Sequence, residues 1–205
     1  MIDYLRHGRL SVMPAHIVNG VLLTVLFVGS IIAWNTFPQR SLGEFSEGPP
    51  MSFSQWMGMV WLGLAILGIF YYGGLKWSKP PYHVPYRPSS YYKFVGPNYD
   101  ELYLQEYLQL TVEQRRPIAP VLAATSYWTA ACWLGATLLV QYGRYHTVFG
   151  GSSRDYWYAA LAIALASLGA FTYAFIYRAR AFARKTLQES GAGESLNSEV
   201  DDSPR

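Results

Sequence analysis

The segment from Tyr158 to Tyr177 reads YAALAIALASLGAFTYAFIY, and its twenty residues include no charged side chain, amide, proline or histidine. An α-helix rises about 1.5 Å per residue, so a helix of this length crosses the roughly 30 Å hydrocarbon core of a bilayer. The segment therefore predicts a transmembrane helix, whose bounds we place at residues 156–178.

The composition of the whole chain agrees with a membrane protein. Hydrophobic residues make up 51% of the chain and charged residues 14%, whereas soluble domains carry about 25% charged residues. The single cysteine, Cys132, excludes an internal disulfide and a multi-cysteine metal site. The net charge of +3 is too small to indicate nucleic-acid binding.

Three further apolar runs predict three further spans. The fold class is therefore an all-α membrane protein with four transmembrane helices plus one interfacial amphipathic helix between the second and third, with an extended polar loop and tail. The predicted segments are an N-terminal polar segment (1–15), transmembrane helix 1 (16–34), transmembrane helix 2 (52–74), a Tyr/Pro-rich strap (75–97), the interfacial helix (98–116), transmembrane helix 3 (118–142), transmembrane helix 4 (156–178) and a polar C-terminal tail (179–205).

Several local signals support these segments. The first apolar run is longer than the apolar region of a signal peptide and has no clear cleavage site after it, so we expect it to be retained. Repeated prolines keep the strap extended, and its tyrosines offer rings for protein or headgroup contacts. Asn98 and Glu101 form a capping box that predicts the start of the interfacial helix. Asn19 predicts an interhelical hydrogen bond, and the hydroxyls of transmembrane helix 3 are expected to bond back to their own helix.

The lysine and arginine residues predict the orientation of the chain. Four spans place both termini on one side, where thirteen of the sixteen basic residues then lie, and the opposite loops hold three. Positive residues concentrate on the side from which a membrane protein is inserted. We therefore expect an integral protein of the mitochondrial inner membrane, or of a bacterial inner membrane, with both termini on the matrix or cytoplasmic side.

Small residues in the spans predict close helix packing, because they let helix backbones approach each other within a bilayer. Ala162, Ala166, Ala170 and Ala174 recur at a four-residue interval in transmembrane helix 4. The full set of predicted helix-packing residues is Ala162, Ala166, Ala170, Ala174, Gly58, Gly63, Gly68, Ala131 and Gly135.

Basic residues near the ends of the spans are candidates for binding anionic lipid headgroups. They are Lys76, Arg115, Arg116, Arg178 and Arg180. His16, at the boundary of the first span, is a candidate ligand for a tetrapyrrole, with an interfacial hydrogen bond as the alternative. No catalytic residue, metal site or cofactor is predicted, and bound phospholipid such as cardiolipin is the one non-protein component expected.

These features favour a non-catalytic accessory subunit of a large inner-membrane energy-converting complex, of the respiratory chain or ATP synthase kind. The spans carry no acidic or basic side chain in their interiors, and proton or ion paths require such groups. The expected partners are other membrane-protein subunits and membrane lipids, with no nucleic acid and no soluble substrate. The alternatives are a small oligomeric transporter or channel, and a pigment- or haem-binding subunit of a photosynthetic or respiratory complex.

Overall fold

The computed structural model describes residues 2–36, 52–82, 105–148 and 151–190. Its elements are α1 (Ile2–Thr36), α2 (Phe53–Ser78), α3 (Gln105–Gln109), α4 (Val112–Arg115), α5 (Ala119–Val148), α6 (Arg154–Thr172), a π-helical segment (Tyr173–Arg178) and α7 (Ala179–Glu189). Within these four ranges every regular element is helical and there is no strand. The all-α class predicted from the sequence is confirmed.

Three helical stretches are long and apolar enough to cross a membrane. They are Val12–Thr36, Phe53–Ser78 and Arg154–Glu189. Only 17% of the most apolar window of each is buried within the chain, so each presents an extensive apolar face to its surroundings. The helix that covers the predicted third span, α5, does not reach the same apolar composition.

The central helix of the fold is α5, which packs against α1, α2 and α6. Half of its thirty residues are buried, including Leu122, Tyr127 and Leu134. Helix direction alternates along the chain, because α1 pairs His16 with Tyr71 of α2 near one end and Ser30 with Trp56 near the other. The long helices therefore form an antiparallel up-and-down bundle around α5.

The threonine and serine hydroxyls within α5 are accommodated in the bundle by bonding to the helix itself. The hydroxyls of Thr125, Thr129 and Thr137 each donate to the carbonyl four residues earlier at 2.8 Å, and that of Ser126 does so at 3.2 Å. Such bonds satisfy a hydroxyl without a partner on another helix. The back-bonding predicted for the hydroxyls of this segment is confirmed.

The connecting region differs from the single interfacial helix predicted over residues 98–116. Residues 105–116 contain two short helices, α3 and α4, separated at Leu110 and Thr111. The break arises because Thr111 begins a new helix: its hydroxyl accepts from the Gln114 amide N–H at 3.3 Å, and the Gln114 side chain accepts from the Thr111 amide N–H at 2.8 Å. The predicted capping box at Asn98 and Glu101, like residues 83–97 of the strap, lies outside the described residues.

Both chain ends are also more helical than predicted. The segment 1–15, predicted as polar, belongs to α1 from Ile2 onward, and the predicted tail 179–205 begins with α7. The 36 residues of Arg154–Glu189 correspond to about 54 Å of helix, well beyond the bilayer core. The excess length gives α7 room to pack beside α3, where Leu187 and Ala183 join a buried cluster with Trp77 and Tyr107.

Candidate functional site

Polar side chains that form hydrogen bonds between α1, α2 and α5 collect at two places along the junction of these helices. One group, here called the ring cluster, consists of His16, Asn19, Tyr71 and Tyr127. The other, the amide cluster, consists of Ser30, Trp56, Gln141 and Arg144. Each cluster joins the same three helices, the first near the start of α1 and the second near its end.

Aromatic side chains fill the ring cluster. His16 Nδ1 shares a hydrogen bond of 2.9 Å with the Tyr71 hydroxyl, and the His16 ring lies 4.4 Å, centroid to centroid, from the ring of Tyr127. Gly74 makes this possible, because a Cβ at that position would lie 2.5 Å from Cε1 of Tyr127. The absence of a side chain on α2 is therefore what admits the Tyr127 ring from α5.

Asn19 ties α1 to α5 within the ring cluster. It is 1% exposed, and its Nδ2 donates to the Tyr127 carbonyl oxygen at 2.9 Å. This bond confirms the interhelical hydrogen bond predicted for Asn19. Its other amide atom, Oδ1, is buried and has no hydrogen-bond partner among the described residues. The amide contributes one cross-helix bond and carries one unsatisfied acceptor.

His16, the candidate ligand, lies on the exposed side of the ring cluster. Its Nδ1 is occupied by the Tyr71 hydroxyl, an arrangement that fixes the orientation of an imidazole ring. In the described ranges no three His, Cys, Asp or Glu side chains are grouped so as to hold a metal ion. The observed contact is a hydrogen bond, as in the alternative that we gave to ligation, and both ligation by His16 and its position at a membrane interface stay predictions.

Hydrogen bonds to an amide side chain organise the amide cluster. Gln141 is 4% exposed, and its Nε2 donates to Ser30 Oγ and to the Trp56 carbonyl oxygen, each at 3.2 Å. The Trp56 indole Nε1 donates to the Ser30 carbonyl oxygen at 2.8 Å. One amide thus connects α5 to both α1 and α2 in a region of low polarity, where such bonds are hard to replace.

Arg144 closes the amide cluster at the end of α5. Its guanidinium donates to the carbonyl oxygens of Gln55 and Trp56 at 3.2 and 3.4 Å and to Gln141 Oε1 at 3.4 Å. It also lies 5.3 Å from the centroid of the Trp56 ring, within the range of a cation–π contact. A half-buried arginine at this position anchors the start of α2 to the end of α5.

Beside the amide cluster the helices leave a cavity of about 310 Å³ between α1 and α5. Its wall is mainly apolar, with Val25, Leu26, Ala33 and Leu138 among the lining residues. Gly29 also lines the cavity, and a Cβ placed there would meet no atom within 4 Å. At the ring cluster the Tyr127 ring occupies the space beside a glycine, Gly74, whereas at the amide cluster the space beside Gly29 stays open.

An ion-pair group outside the bundle joins α3 to α7. Glu106 Oε1 accepts from Arg184 Nε at 2.9 Å and from Arg180 Nε at 3.1 Å. Burial by itself raises the pKa of the Glu106 carboxyl, but the hydrogen bonds from Arg184 and Arg180 outweigh it, and the pKa lies below its ordinary value. The pair clamps α7 onto the connecting region.

Tyr107, beside this clamp, is fully buried, and its hydroxyl has no hydrogen-bond partner within the described part of the chain. Burial raises the pKa of this phenol, and the nearby Arg115 charge opposes the shift. Its ring packs edge-on against Trp77 at 5.7 Å. The ring thus acts as a hydrophobic plug between the end of α2 and α7.

The predicted lipid-headgroup residues fall into two groups. Arg115 is buried, and its Nε donates to the Tyr107 carbonyl oxygen at 3.3 Å, while Arg180 pairs with Glu106. Both arginines therefore make contacts within the chain. We expected Arg115 to lie at the surface, and it is buried instead. The exposed members are Lys76, Arg116 and Arg178.

The predicted helix-packing residues also divide between the interior and the surface. Those buried within the chain are Gly63, Ala131 and Ala174. Ala162, Ala166, Ala170, Gly58 and Gly68 are exposed, and Gly135 is half-buried with open space where a Cβ would lie. Whether the exposed residues pack against another chain is a prediction that the single chain does not address.

The sequence reasoning missed Gln141 and Glu106, each of which bonds to two residues on other elements. Gln141 lies inside an apolar run, and an amide there was itself a signal for an interhelical bond, as it was for Asn19. Glu106 lies within the predicted interfacial helix, and no contact was predicted for it. Comparison of the chain with protein-family models, with curated proteins and with solved structures finds no match.

Proposed function

We propose that this chain is a non-catalytic structural subunit of a larger membrane complex, which it joins through the outer face of α6. The observation that supports this proposal is that α6 has two different faces of small residues, only one of which is used within the chain. The inner face is buried and includes Ala160 and Ser167, with Ala174 following in the π-helical segment that continues α6, whereas Ala162 and Ala166 are exposed.

Helix geometry explains why the two faces differ. An α-helix turns about 100° per residue, so each four-residue step along the alanine stripe advances about 40° around the helix. The stripe begins on the outer face at Ala162 and reaches the buried face only at Ala174. Its first three alanines therefore remain as a shallow track on the surface, with exposed Leu161 and Leu165 along one side of it.

A second helix fits such a track closely, because alanine and glycine allow its backbone to approach. A Cβ added at Gly169, beside the track, would meet no atom of the described residues within 4 Å, so none of them packs against α6 at this point. Bilayer lipid would cover the same surface but would gain nothing from a four-residue alanine spacing. The spacing therefore favours a helix from a neighbouring subunit.

The proposal includes α5 as the fourth transmembrane helix. A helix shielded by α1, α2 and α6 does not need the apolar composition of a lipid-facing helix, and the hydroxyls of α5 are satisfied by its own backbone. The thirteen-to-three distribution of basic residues supports four spans with both termini on the matrix or cytoplasmic side. An inner-membrane energy-converting complex is the proposed setting, with phospholipid such as cardiolipin at the exposed basic residues.

The same hydroxyl contacts weigh against the transporter or channel alternative. A polar path needs side chains with free hydrogen-bonding capacity along the bundle, and the α5 hydroxyls donate to their own backbone. The haem or pigment alternative rests on His16 alone. An absorbance spectrum of the purified chain tests it, and a Soret or chlorin band that disappears in a His16→Ala variant would replace the structural proposal.

The test of the structural proposal compares two alanine-to-leucine changes in the native membrane. We expect Ala166→Leu to release the chain from its complex on native gels, because leucine blocks the track. The matched control is Ala65→Leu, which adds the same bulk to an exposed position on α2. Co-migration of Ala166→Leu with the complex, to the same extent as Ala65→Leu, would contradict the proposal.

A further inference from the structure

The cavity between α1 and α5 has a polar floor and an apolar wall. Most of its lining is aliphatic or aromatic carbon, and the buried polar side chains that reach it are Ser30 and Gln141, which are 3% and 4% exposed. Its volume of about 310 Å³ lies at the lower end of the range for ligand sites. The space is large enough for a ring-sized group and too small for a whole lipid molecule.

The floor of the cavity offers a hydrogen-bond donor. Ser30 Oγ accepts from Gln141 Nε2 at 3.2 Å, and among the described residues no acceptor is recorded for the Ser30 hydroxyl proton. The Gln141 amide is already committed, because Nε2 also donates to the Trp56 carbonyl oxygen and Oε1 accepts from Arg144. A ligand in the cavity would therefore be recognised by accepting from the Ser30 hydroxyl.

The lining sets the charge of such a ligand. Among the residues that the structure describes, no Asp, Glu, Lys or Arg side chain lines the cavity. A charged group would lose its hydration there without gaining a countercharge in the wall. The occupant is therefore uncharged, which disfavours a phospholipid headgroup at the floor.

The residues around the cavity indicate the shape of the ligand. The cavity is open on one side, and its lining includes Val25 and Ile32, whose side chains are 47% and 58% exposed on the apolar surface of α1. Three aromatic residues line the cavity, of which Trp56 is 1% exposed, Tyr145 is half-buried and Tyr142 is 51% exposed. A flat ring head would stack on aromatic side chains, and an attached aliphatic tail would leave between α1 and α5 into lipid.

We propose that this cavity binds an uncharged lipid whose head is a compact ring bearing a carbonyl group, the chemical class of the isoprenoid quinones. The carbonyl accepts a hydrogen bond from the Ser30 hydroxyl, and the ring occupies the space beside Gly29. This site is separate from the outer face of α6, so it requires only that the chain lie in a membrane and is independent of the proposed structural role.

The experiment uses the full chain in detergent micelles with decylubiquinone, a benzoquinone with a ten-carbon tail, as the probe. Quinones quench tryptophan fluorescence, and Trp56 lines the cavity. We expect quenching that saturates with quinone concentration in the natural chain. Gly29→Leu fills the cavity and should weaken this saturable binding at least tenfold. Ser30→Ala removes the donor and should weaken it about fivefold, the effect of one neutral hydrogen bond.

The matched control is Gly20→Leu, which adds the same side chain to α1 where a Cβ also meets no atom within 4 Å but which does not line the cavity. It should bind the quinone as the natural chain does. Circular dichroism and thermal unfolding verify that each variant is folded. If Gly29→Leu does not fold, an azido-quinone photolabel followed by peptide mapping replaces it, and we expect labelling within residues 25–36 or 138–145.

Several results would overturn the proposal. Quenching that rises linearly without saturation, equally in the natural chain and in Gly29→Leu, would mean that quinone only partitions into the micelle. Recovery of tryptophan fluorescence on adding an equal concentration of unbrominated phosphatidylcholine would mean that an ordinary lipid chain displaces the quinone and fills the cavity. Photolabel confined to other segments would place the quinone elsewhere on the chain.

Discussion

The ring cluster and the amide cluster join the same three helices at opposite ends of the bundle, yet one is filled and the other is hollow. At the ring cluster, Gly74 faces Tyr127, and the aromatic ring takes the space that the glycine leaves. At the amide cluster, Gly29 faces no side chain within 4 Å of its missing Cβ, and a cavity remains. A glycine in a helix bundle thus gives either tight packing or an open space, depending on the residue opposite it.

The two clusters also differ in the number of hydrogen bonds that their amide side chains make. Asn19 makes one cross-helix bond and leaves its Oδ1 unpartnered, whereas Gln141 bonds through both its nitrogen and its oxygen. The filled end is therefore held mainly by ring packing, and the hollow end mainly by hydrogen bonds. This difference predicts which substitutions each end tolerates.

The largest effect is expected where the rings are packed. Gly74→Ala places a methyl group 2.5 Å from Tyr127 Cε1, and overpacking of this kind costs about 1–3 kcal/mol. The control is Gly68→Ala on the same helix, which points into open space and should be neutral or stabilising by up to about 1 kcal/mol. Thermal unfolding in detergent measures both. Equal stability of the two variants would show that the ring cluster is loosely packed.

The second prediction compares the two amides directly. Gln141→Leu leaves Arg144 without one acceptor and Ser30 without a donor, so we expect a loss of about 2 kcal/mol. Asn19→Leu removes one bond but also removes a buried unsatisfied acceptor, so its cost should be under about 1 kcal/mol. Chemical unfolding of both variants in the same detergent gives the difference. An Asn19 variant less stable than the Gln141 variant would reverse the comparison.

The residues of the two clusters show how far the sequence predicts this fold. The apolar runs predicted the long helices, and Asn19 predicted a cross-helix bond, because a polar side chain in an apolar helix needs a partner. The break between α3 and α4 was also encoded, in the capping pair of Thr111 and Gln114, but the apolar stripe through residues 98–116 suggested one continuous helix. The capping bonds between Thr111 and Gln114 begin a new helix at that point, although the apolar pattern continues.

The position of α5 and the existence of the cavity were not predictable in the same way. Both depend on which faces of α1, α2 and α6 meet, and small residues alone do not fix that choice. The alanine stripe of α6 shows the ambiguity, because its four members lie at one spacing while only Ala174 packs within the chain. Gly29 and Gly74 are equally inconspicuous in the sequence, and only the residue opposite each one distinguishes them.

The smallest effect concerns the ion-pair clamp beside the filled end, which adds a pH dependence that the hollow end lacks. The pKa of Glu106 is held below its ordinary value of 4.5, so the folded state binds its proton less readily than the unfolded chain does. The stabilisation is therefore complete above about pH 4.5 and is lost as the pH falls through the lower pKa of the folded state. For two partly exposed pairs it amounts to about 1 kcal/mol.

Glu106→Gln should remove this stabilisation at neutral pH and flatten the dependence of the unfolding temperature on pH between 7 and 3. The matched control is Glu113→Gln, whose ion pair with Arg116 at 3.9 Å is exposed on both sides and should change little. Within the amide cluster the hydrogen bonds involve amide, hydroxyl, carbonyl and guanidinium groups, none of which titrates in this range. Acid should therefore loosen α7 from α3 while saturable quinone binding at the cavity persists. If acid weakened the contact between α7 and α3 and abolished quinone binding at the same pH, the two ends of the bundle would be coupled.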